Sequence, residues 1–349
     1  MFAMSQARPV RVAAVQMPSK LGQTQANLDH AALLAQEAAQ KGAEVIAYAE
    51  LAASGYSMSP LIWEYAEPCD GYIVQWLQET SRRLQVYVGM GFCEVDGQDF
   101  FNTYALSGPD GRMAGYVRKI MAERYIFKCA KDTRVIPTDI GRVGIAICAD
   151  NMFVPNILRM QAGAADLLLM PHAVPVPTKV GRLVSRQDMV RTRKTLTEKA
   201  PLNARLLGMP TVFINQVGAL GTEKWSGIIG RMFSADGYRL GGLSTIADAR
   251  GTTCAQLDEC SEGVVVADIL LDPASKVSAR PKRYGRYGGG AVSPLPPVFE
   301  ALCYLEAFVG GLSYTLSSTR KRKARQIIAE WRRSRASTIG AMTIHASSG

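Results

Sequence analysis

The sequence predicts an α/β protein organised around parallel strands. Residues 9–17, 27–41 and 43–47 read as strand, helix and strand within about 40 residues, the pattern of a βαβ unit. The same alternation of short apolar runs and helical periods continues to about residue 271. Several of the strands end on a polar or nucleophilic side chain, which is where open α/β folds usually place chemistry.

The elements follow from local patterning. Val10, Val12 and Ala14 alternate about Arg11, and a turn at 18–22 follows. Leu28, Ala31, Leu34, Ala35 and Ala38 recur at helical spacing, with Gly42 where a C-cap is expected. The strand at 43–47 ends in Tyr48-Ala49-Glu50. Residues 71–84 read as a helix and 86–93 as a strand. The strand at 102–107 runs through the turn 108–111 into 112–118 as a hairpin. Beyond it come a helix at 156–163, a strand at 166–170 and a long helix at 182–207 interrupted by Pro201. Strands are predicted at 211–215, at 227–233 before a turn at 235–237, and at 263–271. No repeat of 20–50 residues is visible.

Composition narrows the class. With 349 residues, 48% of them hydrophobic, the chain can bury a full core, and the composition shift near residue 280 divides it. Residues 1–280 form the body; 281–349 form an irregular arm rich in Gly, Pro and Tyr, then a mildly apolar segment and a basic helix. No uninterrupted apolar run of membrane-spanning length occurs, and the first residues lack the basic start and apolar core of a secretory signal, so a cytoplasmic protein is expected. The seven cysteines (69, 93, 129, 148, 254, 260, 303) are odd in number and form no CxxC pair, which argues against a disulfide scaffold or a structural zinc site. Only His30, His172 and His345 are present, so an activated cysteine here would use a base other than imidazole.

The net charge of +10 is uneven. Between Arg320 and Arg335, eight Lys and Arg stand against Glu330 alone, so the basicity belongs to the tail. Ile327, Ile328 and Trp331 share one face of that helix, the form of a helix lying on an anionic membrane or on nucleic acid. A solvated extension or an arm crossing a subunit interface is the favoured reading.

Cys148 ends the apolar run Val143-Gly-Ile-Ala-Ile147. A lone cysteine on such a strand is most often a small buried hydrophobe. Its company changes the reading, because Glu50 and Lys119 end two other strands. A carboxylate can take a thiol proton, and an ammonium stabilises both a thiolate and a developing oxyanion.

These segments resemble the nitrilase, or carbon–nitrogen hydrolase, superfamily. The likeness rests on Arg11-Val-Ala-Ala-Val-Gln-Met17, Ala49-Glu50-Leu51 with Ser54-Gly55-Tyr56, Tyr116-Val-Arg-Lys119 and Gly144-Ile-Ala-Ile-Cys148-Ala-Asp150. Further matches are 166–171, 215–218, Ser226-Gly227 and 234–237, in unbroken order over about residues 10–275. The resemblance implies a four-layer α-β-β-α sandwich, with Glu50 as general base, Cys148 as nucleophile and Lys119 as the cation holding the oxyanion. It implies the backbone N–H of Ala149 as a second oxyanion donor, no metal or organic cofactor, and a homodimer or larger assembly.

The departures bear on substrate. The family's second glutamate usually lies about eight residues beyond the lysine; here Glu123 follows after four, either filling that role across a shortened loop or serving as an ordinary helix-start acid. After the nucleophile stand Ala149-Asp150 and then Asn151-Met-Phe. Nitrilases proper resemble one another in Trp-Glu at the first pair, and amino-acid carbamoylases in arginines beyond it. Asn151 and Glu123 are assigned to substrate positioning. His172 follows a strand end and either lines the pocket or is a turn histidine bonded to backbone; Asn102, Tyr56 and Trp225 are weaker candidates for contact. A small-molecule amide is the expected substrate, ahead of a nitrile or N-carbamoyl compound. The reading of another class is a binding protein with a vestigial triad that acts through its basic tail.

Overall fold

The computed structural model describes residues 6–133, 135–181, 184–232, 237–280, 283–284, 287–288 and 297–346. In chain order the elements begin with β1 (Arg8–Gln16), α1 (Thr24–Gln40), β2 (Val45–Ala47), α2 (Tyr72–Leu84), β3 (Tyr87–Asp96), β4 (Asp99–Ser107) and β5 (Met113–Arg118). A second series follows: β6 (Ile136–Thr138), β7 (Gly141–Ile145), α3 (Val154–Ala162), β8 (Leu167–His172), β9 (Pro175–Pro177), α4 (Arg186–Leu207) and β10 (Thr211–Asn215). Then come β11 (Val217–Ala219), α5 (Gly227–Met232), β12 (Tyr238–Gly241), β13 (Thr245–Ala247), β14 (Thr253–Gln256) and β15 (Gly263–Leu271). A short strand pair, β16 (Arg283–Tyr284) and β17 (Tyr287–Gly288), and two helices, α6 (Pro297–Leu316) and α7 (Ser318–Ala346), complete the described chain.

Two six-stranded sheets carry the fold, ordered β15-β1-β2-β3-β4-β5 and β14-β13-β10-β8-β7-β6. The centre of each is parallel, as the βαβ pattern predicts: β1 with β2 and β2 with β3 in the first, β7 with β8 and β8 with β10 in the second. Their inner faces meet in one core that joins Val10, Val12 and Ile46 to Ile145, Leu167 and Val212. Period-2 alternation assigns the faces. Leu167 and Leu169 enter that inter-sheet core, whereas Leu168 and Met170 point the other way and pack with Ile157, Met160 and Leu207 of α3 and α4. With α1 and α2 covering the first sheet, the layers run α-β-β-α.

Several expectations shift in detail. The turn at 108–111 closes the β4–β5 hairpin, with Gly111 at φ +76°. α4 runs through Pro201 instead of stopping there. Ala200, Asn203 and Ala204 are buried beside it, and that packing outweighs the roughly 3 kcal/mol that an interior proline costs. Of the stretch 227–233 expected as a strand, Gly227–Met232 form the short helix α5 instead, and residue 233 with most of the predicted turn at 235–237 lies outside the described residues. Six residues are too few for β-branched propensity to outvote tertiary context.

The basic tail is a helix, but its apolar face is occupied by the body. Ile327 and Ile328 pack on a cluster containing Trp63 and Phe100, and Ala324 is fully buried. Arg320, 3% exposed, bonds to the backbone of Gln98 and to Asp99; Trp331 Nε1 donates to Asp70 at 3.2 Å, and Arg335 pairs with Asp70. The apolar face that the less favoured reading would turn to a membrane or nucleic acid is therefore spent on intramolecular contacts, and this part of the tail is not the solvated extension of the favoured reading either. Among the described residues, no helix is long and apolar enough to cross a membrane.

Candidate active site

Two strand ends and one strand interior of the first sheet converge on one buried ion network. Glu50 follows β2, Asn102 lies within β4, and Lys119 follows β5. Lys119 Nζ donates to Glu50 Oε1 and to Glu123 Oε1, each at 2.6 Å, and the side chains of Lys119 and Glu50 have no solvent exposure. Asn102 Nδ2 donates to the same Glu50 oxygen at 2.8 Å, and Gln216 Nε2 fixes the Glu50 carbonyl at 2.6 Å. The Tyr56 hydroxyl donates to Glu123 Oε1 at 3.3 Å. Glu50 Oε2 is buried with no hydrogen-bond partner within the protein, so one oxygen is engaged and the other is left over.

The second sheet supplies the thiol. Beyond β7 the chain reaches Cys148, which sits at φ +49°, a left-handed conformation that costs a non-glycine residue of order 1 kcal/mol or more. Such strain at a strand-to-helix turn lifts a side chain out of the strand's own packing. A 3₁₀ turn (Cys148–Met152) follows, and its ladder begins only with the Asp150 N–H donating to the Ile147 carbonyl at 3.0 Å. The N–H of Ala149 precedes that ladder and so belongs to the orphan donors of a helix start. Asp150 ties the two sheets' loops together, accepting from the backbone N–H of Met121 at 2.7 Å and of Ile120 at 3.1 Å. Asn151 is 1% exposed and donates to the carbonyls of Ala146 at 2.7 Å and Cys148 at 3.1 Å. The Asn151 Nδ2 group therefore shapes the nucleophile's turn, while its Oδ1 is buried with no hydrogen-bond partner among the described residues.

Charge in this cluster is set by burial and by neighbours. Burial pushes the Cys148 thiol far above its ordinary range; the negative charge of the nearby Glu50 carboxylate pushes further, and Lys119 only partly opposes. The resting form is the thiol. Burial also raises Glu50, against the pull of Lys119. For Lys119 burial lowers the pKa, but Glu123 and Glu50 outweigh it and hold the ammonium well above the usual lysine value. The cluster thus presents a neutral thiol, a carboxylate with a spare oxygen and a permanent cation.

The carbon–nitrogen hydrolase family model matches residues 11–278. This chain belongs to that family. Over 187 residues it is 31% identical to an omega-amidase of Danio rerio, covering 48% of this chain and 67% of that protein. It is 29% identical over 175 residues to a nitrilase of Pyrococcus abyssi, covering 48% and 66%. An N-carbamoylputrescine amidase of Solanum lycopersicum is 27% identical over 80% of this chain and 91% of its own. The chain spans about half to two thirds of the length of several curated relatives, 51% for a cyanide hydratase of Aspergillus niger. Among solved structures, a carbon–nitrogen hydrolase of Helicobacter pylori superposes with a TM-score of 0.64 at 19% identity, covering 75% of this chain and 89% of that one. That likeness concerns the fold, and it agrees with the four-layer sandwich.

Two further buried residues of this carbon–nitrogen hydrolase are electrostatically coupled to the cluster, His172 to Lys119 and Lys199 to Cys148. His172 ends β8, is 2% exposed, hydrogen-bonds the Met170 carbonyl through Nδ1 at 2.8 Å and meets Phe213 edge-on at 4.7 Å. Burial, aided by the charge of Lys199, lowers its pKa to about 3, so it is a neutral imidazole bonded to backbone. Sequence reasoning passed over Lys199 of α4. It is 6% exposed, burial lowers it to about 8, and the charge of Cys148 acts on it in the opposite sense. The signal was present: Lys199 occupies the helix stripe of Leu196, Ala200, Asn203 and Leu207, where a lysine interrupts an otherwise buried face. Trp225 is packed edge-on against Tyr56 at 5.6 Å, behind the Glu123 hydrogen bond.

Proposed function

We propose that this chain hydrolyses the carbon–nitrogen bond of a small-molecule amide through a thioester on Cys148. The observation that carries the reading is the Glu50–Lys119–Glu123 network, buried and fully paired except for Glu50 Oε2 and Glu123 Oε2, facing a neutral thiol. Glu50 Oε2 takes the thiol proton as sulfur bonds to the amide carbon. The carbonyl oxygen gains the negative charge, and the Lys119 ammonium with the Ala149 N–H stabilises it. On collapse of the tetrahedral adduct, Glu50 returns the proton to the departing nitrogen, which leaves as ammonia or an amine. Water, deprotonated by Glu50, then attacks the thioester carbon, and the thiol and a carboxylic acid are regenerated. Because the network has two carboxylates to one ammonium, Lys119 stays charged throughout and Glu50 alone carries the proton.

Amide is favoured over nitrile and N-carbamoyl substrates by the residues after the nucleophile. Asn151 is turned into the loop, and none of the three residues beyond Asp150 is an arginine that could clamp an amino-acid carboxylate. The omega-amidase relative is consistent with that preference. A Cys148→Ala variant should lose ammonia release from short primary amides while keeping its fold by circular dichroism; undiminished release would remove Cys148 from the chemistry.

A further inference from the structure

The helix α6 lies outside the family-matched segment 11–278, yet it reaches the catalytic network. Its two faces differ. Glu306, Gly310 and Tyr314 are buried against the body, at i, i+4 and i+8, whereas Leu305, Phe308, Leu312 and Leu316 on the opposite side are exposed. The buried side borders a half-open recess of about 130 Å³ whose lining includes Met58, Glu123, Arg124, Tyr125, Glu306 and Ala307. The surface facing that space is almost wholly apolar. Glu123 belongs to both places: one carboxylate oxygen sits on Lys119 Nζ and its residue lines the cavity, so the space begins one carboxylate away from the catalytic cation.

The docking is a close fit, not a loose overlay. A Cβ at Gly227, where φ is +79°, would overlap the Glu306 carboxylate. At Gly310 a Cβ would stand 2.8 Å from the Tyr125 ring. Glycine on each side of the contact is therefore what lets α6 approach the pocket wall. Tyr314 anchors the end of the helix, its hydroxyl accepting the Phe100 N–H at 2.8 Å.

We propose that α6 is the outer wall of the acyl pocket, with Ala307 and Glu306 setting how long an acyl chain it admits. The substrate class is then a short aliphatic amide. Its carbonyl sits at Cys148 and its alkyl chain runs past Glu123 into the apolar cavity, where α6 stops it. This rests on the amide reading above, so the test uses two readouts, one of which needs no turnover.

The experiment compares wild type, Ala307→Trp, which fills the cavity, and Glu306→Ala, which removes the wall. Each is assayed for ammonia release from acetamide, butanamide and hexanamide, and for the rate of Cys148 alkylation by iodoacetamide against 2-iodohexanamide. Ala307→Trp should lower kcat/KM for hexanamide relative to acetamide by about tenfold or more, because a few methylenes in an apolar pocket are worth that much. Glu306→Ala should shift the same ratio the other way, through KM more than kcat. The alkylation ratios should move in parallel. If both folded variants keep the wild-type ratios in both readouts, the wall assignment falls. If the alkylation ratios move as stated but no amide is turned over, the wall stands and the amide reading falls.

Discussion

The two sheets bring different electrostatics to the same site. Strand ends of the first sheet carry formal charges, Glu50, Lys119 and Glu123, that burial would forbid singly and that persist because they are paired. The second sheet and its covering helix α4 offer Cys148, His172 and Lys199, and burial shifts the pKa of each in the direction of its neutral form. The two buried lysines make the point most directly: Lys119, between two carboxylates, is raised, and Lys199 is lowered to about 8. Burial alone does not decide a lysine's charge; the neighbouring acids do. The division also means that the cluster exists only when the sheets pack, since Glu50 and Cys148, the proposed base and nucleophile, are delivered from opposite layers.

Breaking the charged side should do the most damage. Lys119→Ala leaves Glu50 and Glu123 buried without their cation and should cost about 3–5 kcal/mol of stability, measured by urea unfolding at neutral pH. Lys199→Met, at a position where burial already favours the neutral form, should cost far less. Equal losses would refute the contrast between the two sheets.

Much of the site was legible in the sequence because strand ends are local. Val143–Ile147, Val45–Ala47 and Met113–Arg118 read as strands on their own patterning, and each points to the polar residue that follows. What was not legible depends on contacts made far along the chain. Nothing near Gly310 announces that its missing side chain admits Tyr125, and nothing near Ile327 says that its apolar face will be spent on Trp63 and Phe100. The hydrogen bonds of Asn151 to the Ala146 and Cys148 carbonyls likewise depend on the turn's three-dimensional path, which the sequence does not display.

The neutral side makes a pH prediction. The folded pKa of His172, about 3, lies below the ordinary imidazole value of about 6.5, so between those values the unfolded chain binds the extra proton. The stability it contributes is present above pH 6.5 and is lost as pH falls toward 3. His172→Asn, which can keep the bond to the Met170 carbonyl, should flatten that acid limb in unfolding experiments between pH 4 and 7; an unchanged slope would show that other groups govern it. The smallest effect belongs to the surface. Arg335→Ala removes an exposed pair with Asp70 and should change stability by no more than about 0.5 kcal/mol, whereas a larger change would mean that α7 is held on the body mainly by its ion pairs.

The central claim is that Cys148 carries the acyl group while Glu50 moves the proton. Peptide mapping by mass spectrometry, after acid-quenching the wild type and the Glu50→Gln variant during reaction with a short primary amide and with its more reactive p-nitroanilide, tests it directly. An acyl adduct should be trapped in the wild type on the Cys148 peptide alone, and Gln, which can neither take the thiol proton nor activate water, should abolish both adduct and turnover. An adduct on any other residue, or full wild-type turnover without the Glu50 carboxylate, would contradict the account.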